Sequence, residues 1–328
     1  MGGTNWSNTS YSNFAASASH IADDSKLFAN TAAKKIDSLM DPKDLKVREC
    51  RDSDAHPDTL AVIVALDETG SMGQIPAHLV REKLPKLMES LLANKINDAQ
   101  VLFLGIGDHI SDHFPLQVGQ FESGDVELVK WLTAINLEGN GGGQSMESYP
   151  LAWLVAGRHT SIDCFEKRGV KGVLFTIGDE GFHDKYSASW LKENMGYASS
   201  EDISAKDLYA QAEQMYHIFH IHVQEGSYPV SGKTGKTTNM RSMYTGGTGD
   251  AIASQWKELL NERFIVCEDQ ETIPEIIATT VAMVHGIDMD HFTKTFDDKT
   301  AASVKDALVH VSNTLSTRPK SQDGVMAL

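Results

Sequence analysis

Three long apolar runs constrain the fold of this chain more than any other feature of its sequence. They are Leu60–Leu66, Ala99–Ile106 and Gly172–Ile177, and each has the length of a β-strand. A strand that is apolar at nearly every position is typical of a parallel sheet with helices on both faces. Helical patterns near 75–92 and 205–215 alternate with these strands. The sequence therefore predicts an α/β fold: a doubly wound, mostly parallel sheet flanked by helices.

The later part of the chain continues this alternation. Strands are predicted at Tyr216–Val223 and Arg263–Cys267, and helices at Ile252–Leu260 and Ile273–Val284. Between the two strands, residues 224–247 are rich in Gly, Ser, Thr and Lys, so they are predicted to form a long loop.

Both ends of the chain lie outside the alternating pattern. The first residues are rich in Ser, Asn and Ala, and residues 1–55 are predicted to form a partly flexible N-terminal extension. Residues 56–288 form the predicted α/β domain. Residues 289–328 are predicted to add one helix and a tail.

Composition restricts the classes of partner. The chain has 45 acidic and 29 basic residues and a net charge of −16, whereas nucleic acids and anionic membranes require a basic surface. No stretch approaches the roughly 18 apolar residues of a membrane span, and the N-terminus lacks the pattern of a signal peptide. Three widely spaced cysteines fit reduced thiols. We therefore expect a cytoplasmic protein without nucleic-acid or membrane partners.

An oxygen-rich motif stands where the first apolar strand ends. Asp67, Thr69 and Ser71 follow at alternate positions as D-x-T-x-S, with Glu68 and Gly70 as spacers. Such a string is common by chance, but its place at the carboxyl end of a buried strand is where open α/β sheets bind ligands. Because Mg²⁺ prefers oxygen ligands, the motif predicts a site for this cation.

Two further loops are predicted to reach the same edge of the sheet. One is rich in glycine and precedes a helix predicted at Glu147–Ala156; the other follows the third apolar strand and carries Asp179. The candidate site residues of the glycine-rich loop are Gly141, Gly142, Gly143, Gln144, Ser145 and Glu147. Because parallel strands end at one edge, the three loops should converge there.

Histidines near this edge allow other interpretations. Asp108 and His109 follow the second apolar strand, and together with His183 they are candidates for the rim of the site or for solvated loop residues. His220 and His222 would share one face of a strand, where two imidazoles can bind Zn²⁺. No spacing indicates a third ligand for that pair, so packing beneath a helix or loop is favoured.

The three loops resemble those of the von Willebrand factor A (vWA) domain with its metal-ion-dependent adhesion site. The sequence is most similar to the D-x-T-G-S-M variant of vWA domains linked to alpha-type kinases, and Thr245-Gly246-Gly247 is a further match. The resemblance covers about residues 59–285. It implies that Asp67, Thr69 and Ser71 hold Mg²⁺ or Mn²⁺ and that Asp179 completes the shell.

The same resemblance implies a function and leaves one ligand open. Gln144 stands where the family has Thr or Asp, so Gln144, Ser145 and Glu147 are alternative ligands from the glycine-rich loop. Neutral hydroxyl ligands would leave the cation free to bind a carboxylate of a partner protein. Intracellular vWA proteins often act as adaptors or co-chaperones of MoxR-type AAA+ ATPases, which makes such an ATPase a candidate partner.

Two other functions compete with this binding module. Asp67 together with Gly178-Asp179 and Asp184 also fits Mg²⁺-dependent phosphohydrolases of the haloacid-dehalogenase type, in which Asp67 would be the nucleophile. Those enzymes need a second Asp two residues later, where this chain has Thr69, and the prediction is therefore that the protein is not an enzyme. A structural subunit of a larger assembly is the third hypothesis.

Overall fold

The computed structural model is built around a six-stranded mixed sheet, and three two-stranded sheets lie beside it among the described residues. The structure describes residues 6–7, 9, 11–12, 16, 27–43, 45–68, 72, 83–93, 96, 98–138, 145–231 and 240–316. The strands within them, numbered β1 to β12, are Arg48–Cys50, Leu60–Asp67, Ala99–Ile106, Leu116–Val118, Met146–Glu147, Thr160–Ile162, Gly172–Gly178, Gly181–Phe182, Lys185–Tyr186, Ile203–Ser204, Tyr216–Val223 and Phe264–Cys267.

Helices connect these strands. Numbered α1 to α11, they are Ala29–Ala33, Leu84–Ala93, Asp125–Ala134, Pro150–Arg158, Asp163–Glu166, Ala188–Met195, Ala205–Ala212, Met240–Leu260, Ile273–Val284, Met289–Phe292 and Asp298–Ser316. Helix α2 packs with α9, and α4 packs with α7. None of the described helices combines the length and the apolar character that a membrane span requires.

The six strands of the main sheet have the order β12-β11-β7-β2-β3-β4. Strand β4 is antiparallel to β3, and the other neighbours are parallel. Every residue of β2, β3 and β7 is buried, as expected for strands covered on both faces. The prediction of a doubly wound, mostly parallel α/β sheet is confirmed.

The strand order reverses between β2 and β7. The chain builds outward from β2 through β3 to β4, then returns to β7 and builds in the other direction. In register, Leu66 pairs with Ile177 and Asp67 pairs with Ile106, so the three central strands end together. Such a switch point leaves a crevice at the carboxyl ends of the strands, where doubly wound proteins bind ligands.

The N-terminal segment covers the antiparallel edge of the sheet. The amide of Val118 in β4 donates to the carbonyl of Met40 at 2.9 Å. Arg48 donates from Nη2 to the carbonyls of Leu39 at 2.8 Å and Val118 at 3.0 Å. These bonds satisfy backbone groups that an open edge strand would expose to pairing with another chain.

Two predicted elements differ from the structure. Helix α8 begins at Met240, inside the loop predicted for residues 224–247, and it contains Thr245-Gly246-Gly247. Burial of its later residues Ile252 and Trp256 anchors this helix, and tertiary packing outweighs the weak helix propensity of its glycines. The helix predicted from Glu147 begins instead at Pro150, a residue favoured in the first turn.

Candidate metal centre at the switch point

Three buried carboxylates come together where β2 and β7 end. Asp67 is the last residue of β2, Asp179 follows the last residue of β7, and Glu147 lies in the short strand β5. Asp67 and Asp179 are fully buried and Glu147 is 1% exposed. The hydroxyl of Tyr149 donates to Asp67 Oδ2 at 2.7 Å. Burial, and then the charges of Asp67, Glu147 and Asp179, raise the pKa of Tyr149, so this phenol lies among all three.

Two of these carboxylates have unpaired oxygens. Within the part of the chain that the structure describes, Glu147 Oε2 and Asp179 Oδ1 have no hydrogen-bond partner. The other oxygen of Asp179 accepts from the backbone amides of Ser227 and Tyr228, the latter at 3.3 Å. Buried oxygens without partners are costly. A divalent cation bound to Asp179 would satisfy its unpaired oxygen, so Asp179 fits the predicted site.

The nearby carboxylates change the pKa of Glu147. Burial, followed by the charges of Asp67, Glu180, Asp112 and Asp108, raises the pKa of Glu147 to about 12. No basic side chain is among these influences. Without a cation, Glu147 is therefore a neutral acid at physiological pH, and its proton relieves repulsion with Asp67.

Glu68 also contributes a buried acid, although the sequence indicated only a spacer. Burial and the charges of Glu138, Asp67 and Asp112 raise its pKa well above the ordinary value. Its Oε2 accepts from Gln117 Nε2, while Oε1 has no partner among the described residues. Because neighbours in an extended chain point to opposite faces, Glu68 lies on the other side of the backbone from Asp67.

Gly178 allows the close approach of β7 to the site. A methyl group in its place would overlap the Tyr149 hydroxyl and lie 2.8 Å from Asp67 Oδ2. We expect Gly178→Ala to lower the free energy of unfolding by about 3 kcal/mol, as for an overpacked core, measured by urea unfolding. In the Tyr149→Phe background the same substitution should cost less. An equal cost in both backgrounds would show that the hydroxyl is not the obstacle.

A second polar cluster lies beside these carboxylates. Asp108 follows β3, and its Oδ1 lies 2.7 Å from Nε2 of His183, which follows β8. Ser148 Oγ accepts from the backbone amide of His109 and contacts its ring Nδ1, both at 2.9 Å. Burial, together with the charge of His183, lowers the pKa of His109 to about 4. Burial alone would raise the pKa of Asp108, but hydrogen bonds, above all from His183, lower it.

The other histidine pair belongs to the core. His220 stacks on Trp256, with ring centroids 3.7 Å apart, and His222 Nε2 contacts the carbonyl of Tyr228 at 2.9 Å. Both histidines are fully buried, and burial lowers the pKa of each. His220 packs beneath helix α8 and His222 against the loop that holds Tyr228, as favoured from the sequence.

The remaining predicted ligands and the glycines of the site loops are placed only in part. Ser145 is half-buried with φ of 36°, and its carbonyl accepts from the amide of Gly181 at 3.0 Å. The others lie outside the described residues: Thr69, Gly70, Ser71, Gly141, Gly142, Gly143 and Gln144. The structure thus brings together Asp67, Glu147 and Asp179, and their role as metal ligands stays a prediction.

Among solved structures, an adhesin and a membrane protein resemble this chain at low similarity. The pilus adhesin SpaC from Lactobacillus rhamnosus GG has a TM-score of 0.42 and 10% identity, over 71% of this chain and 31% of the adhesin. An aerotolerance-related membrane protein from Bacteroides fragilis, carrying multiple mutations to serines, has a TM-score of 0.35 and 13% identity, over 66% of this chain and 96% of that protein. This chain therefore spans under a third of the adhesin. No protein-family model and no curated protein matches it in sequence.

Proposed function

We propose that this chain is a vWA-type protein-binding module that holds Mg²⁺ at the switch point and docks a partner carboxylate on it. Asp67 and Asp179 would hold the cation, with Thr69 and Ser71 supplying the hydroxyl oxygens of the D-x-T-x-S motif. The observation that carries the proposal is the buried Oδ1 of Asp179, which has no hydrogen-bond partner among the described residues. Bound Mg²⁺ would supply a Lewis acid for one more oxygen ligand.

The charge balance of the site supports a partner carboxylate. As metal ligands, Asp67 and Asp179 would bind as carboxylates and balance the charge of one Mg²⁺. Glu147 is neutral without the cation, and as an acid it can donate a hydrogen bond rather than add a third negative charge. A further anionic oxygen can then approach the cation without strong repulsion.

The rim of the site supports a protein as the partner. Ile110, in the loop that follows Asp108, is 59% exposed, and Met146, next to Glu147, is 38% exposed. Both apolar side chains stand at the edge that carries the carboxylates. A polar anchor beside apolar contacts is a common composition for a protein interface. The identity of the partner, including a MoxR-type ATPase, and a cytoplasmic location stay predictions from the sequence.

Thermal unfolding in chelator and in increasing Mg²⁺ or Mn²⁺, with and without beryllofluoride, tests this proposal against the phosphohydrolase. A cation that binds only the folded chain raises the unfolding midpoint by mass action. The binding module predicts a rise that beryllofluoride does not enlarge. A large further rise would mean that Asp67 accepts a phosphoryl mimic, which favours the enzyme. No response to either cation would overturn the metal site.

A further inference from the structure

We propose that Asp108, His109 and His183 form a second cation site, selective for a first-row transition-metal dication such as Zn²⁺. One oxygen of the carboxylate and one nitrogen of each imidazole lie within 4.8 Å of one another. Two imidazoles and one carboxylate are a recurrent ligand set for such ions, whereas Mg²⁺ prefers oxygen alone. The proposed site thus differs in chemistry from the carboxylate site beside it, and it does not depend on that site.

The ligand spacing is close to what a tetrahedral ion requires. With metal–ligand bonds of about 2.0–2.1 Å, two ligand atoms lie about 3.3 Å apart. His183 Nε2 is 2.7 Å from Asp108 Oδ1, and His109 Nδ1 is 3.8 Å from the same oxygen. An ion between them would replace the hydrogen bond between His183 and Asp108. The proton of that bond would move to the other ring nitrogen of His183 or to solvent.

Neighbouring groups hold two of the three ligands, Asp108 and His109, in place. Asp108 accepts from the amide of Ile110 at 3.0 Å and from the hydroxyl of Ser111 at 2.9 Å. Ser148 Oγ accepts from the backbone amide of His109 at 2.9 Å and so fixes its backbone, whereas an ion bound to Nδ1 would replace the contact of that nitrogen with the same hydroxyl. Such outer contacts orient metal ligands and reduce the cost of ordering them on binding.

Access and enclosure also fit a metal site. The side chain of Asp108 is 1% exposed and that of His183 is 8% exposed, while His109 at 12% is the most accessible of the three. The rings of Tyr186 and Trp190 pack against His109, with centroids 4.7 and 5.2 Å away. An ion would enter past His109, and water or a ligand from outside would complete its coordination.

Titration of tag-free, chelator-treated protein with Co²⁺ tests the site, with visible absorption as the readout and Zn²⁺ as competitor. In excess Mg²⁺, which would occupy the proposed oxygen site, we expect one equivalent of Co²⁺ to bind with the absorption bands of a four- or five-coordinate ion, and Zn²⁺ to displace it. His109→Gln and His183→Gln should each weaken binding by more than about 100-fold, because loss of an outer contact alone costs 10–100-fold. His113→Gln, an exposed histidine in the same loop, is the matched control and should bind normally.

Binding of Co²⁺ by both variants as tightly as by the unaltered chain would overturn the proposal, as would the absence of stoichiometric binding. Circular dichroism in chelator would show whether each variant folds. If either fails to fold, X-ray absorption of the Zn²⁺-loaded unaltered chain decides the question. Scattering from two imidazole ligands around Zn²⁺ supports the site, and a coordination shell without imidazole refutes it.

Discussion

Asp67→Asn is expected to abolish the rise in unfolding temperature that Mg²⁺ produces in the unaltered chain. Asparagine keeps an oxygen that accepts from the Tyr149 hydroxyl, so the hydrogen bond at 2.7 Å can persist. It removes the charge at the centre of the proposed oxygen site. At an Mg²⁺ concentration 100 times the dissociation constant, binding stabilises the folded state by about 2.7 kcal/mol, which corresponds to roughly 5–10 °C.

In chelator the same variant should unfold at the same temperature as the unaltered chain or higher. Among the neighbouring charges, that of Asp67 has the largest effect on the pKa of Glu147. Removing it relieves repulsion in the metal-free site. Asp54→Asn, at an exposed position, is the control and should retain the full response to Mg²⁺. If Asp67→Asn still responds to Mg²⁺, the cation binds elsewhere. If it fails to fold in chelator, Asp67 is required for the fold rather than for binding.

Much of the fold could be predicted because its central elements are strongly apolar. Strands β3 and β11 and helix α9 have the predicted bounds, and β2 differs by one residue. Such strongly apolar segments are buried in almost any tertiary arrangement, so their sequence alone predicts where each element begins and ends. The predicted start of helix α8 was wrong, because glycines and polar residues are frequent in its first part, which is helical through the packing of later residues.

The convergence of the loops was predictable, but their contacts were not. Strand ends in a parallel sheet meet at one edge, which is why Asp67 and Asp179 are neighbours in the structure. The burial of Tyr149 and Glu68 at the site was not predicted, because nothing in the sequence signals burial of a tyrosine hydroxyl or of a spacer carboxylate. The pairing of β5 with β8, which brings His183 near Asp108, involves two residues on each strand. Pairs that short form only through tertiary contacts.

Glu147→Gln is expected to stabilise the metal-free protein at neutral pH and to reduce the dependence of its stability on pH. The pKa of Glu147 is about 12 in the folded chain and near its ordinary value of 4.5 when unfolded. Between pH 4.5 and pH 12, folding takes up a proton at Glu147. The contribution of Glu147 to the stability of the folded state is therefore highest below pH 4.5 and falls as pH rises. A single group with this shift contributes about 1.4 kcal/mol for each pH unit. Glutamine has no proton to take up, so this contribution disappears.

Urea unfolding in chelator at several values between pH 5 and pH 8 would measure the change. Part of the slope should remain in Glu147→Gln, because the pKa of Glu68 is also raised in the folded chain. Glu68 therefore also lowers the free energy of unfolding as pH rises. Glu193→Gln, at an exposed position, should keep the slope of the unaltered chain. An equal slope in Glu147→Gln would mean that Glu147 ionises normally in the folded state.

The same series in Mg²⁺ would decide how Glu147 takes part in the proposed site. As a direct ligand it must lose its proton when the cation binds, so Mg²⁺ affinity would rise with pH, and Glu147→Gln would remove that rise. As a neutral hydrogen-bond donor it keeps its proton, and the affinity of both chains would vary little with pH. The second result leaves the cation balanced by Asp67 and Asp179 alone. A partner carboxylate binds strongly only in that arrangement, because no third negative charge from the protein then repels it.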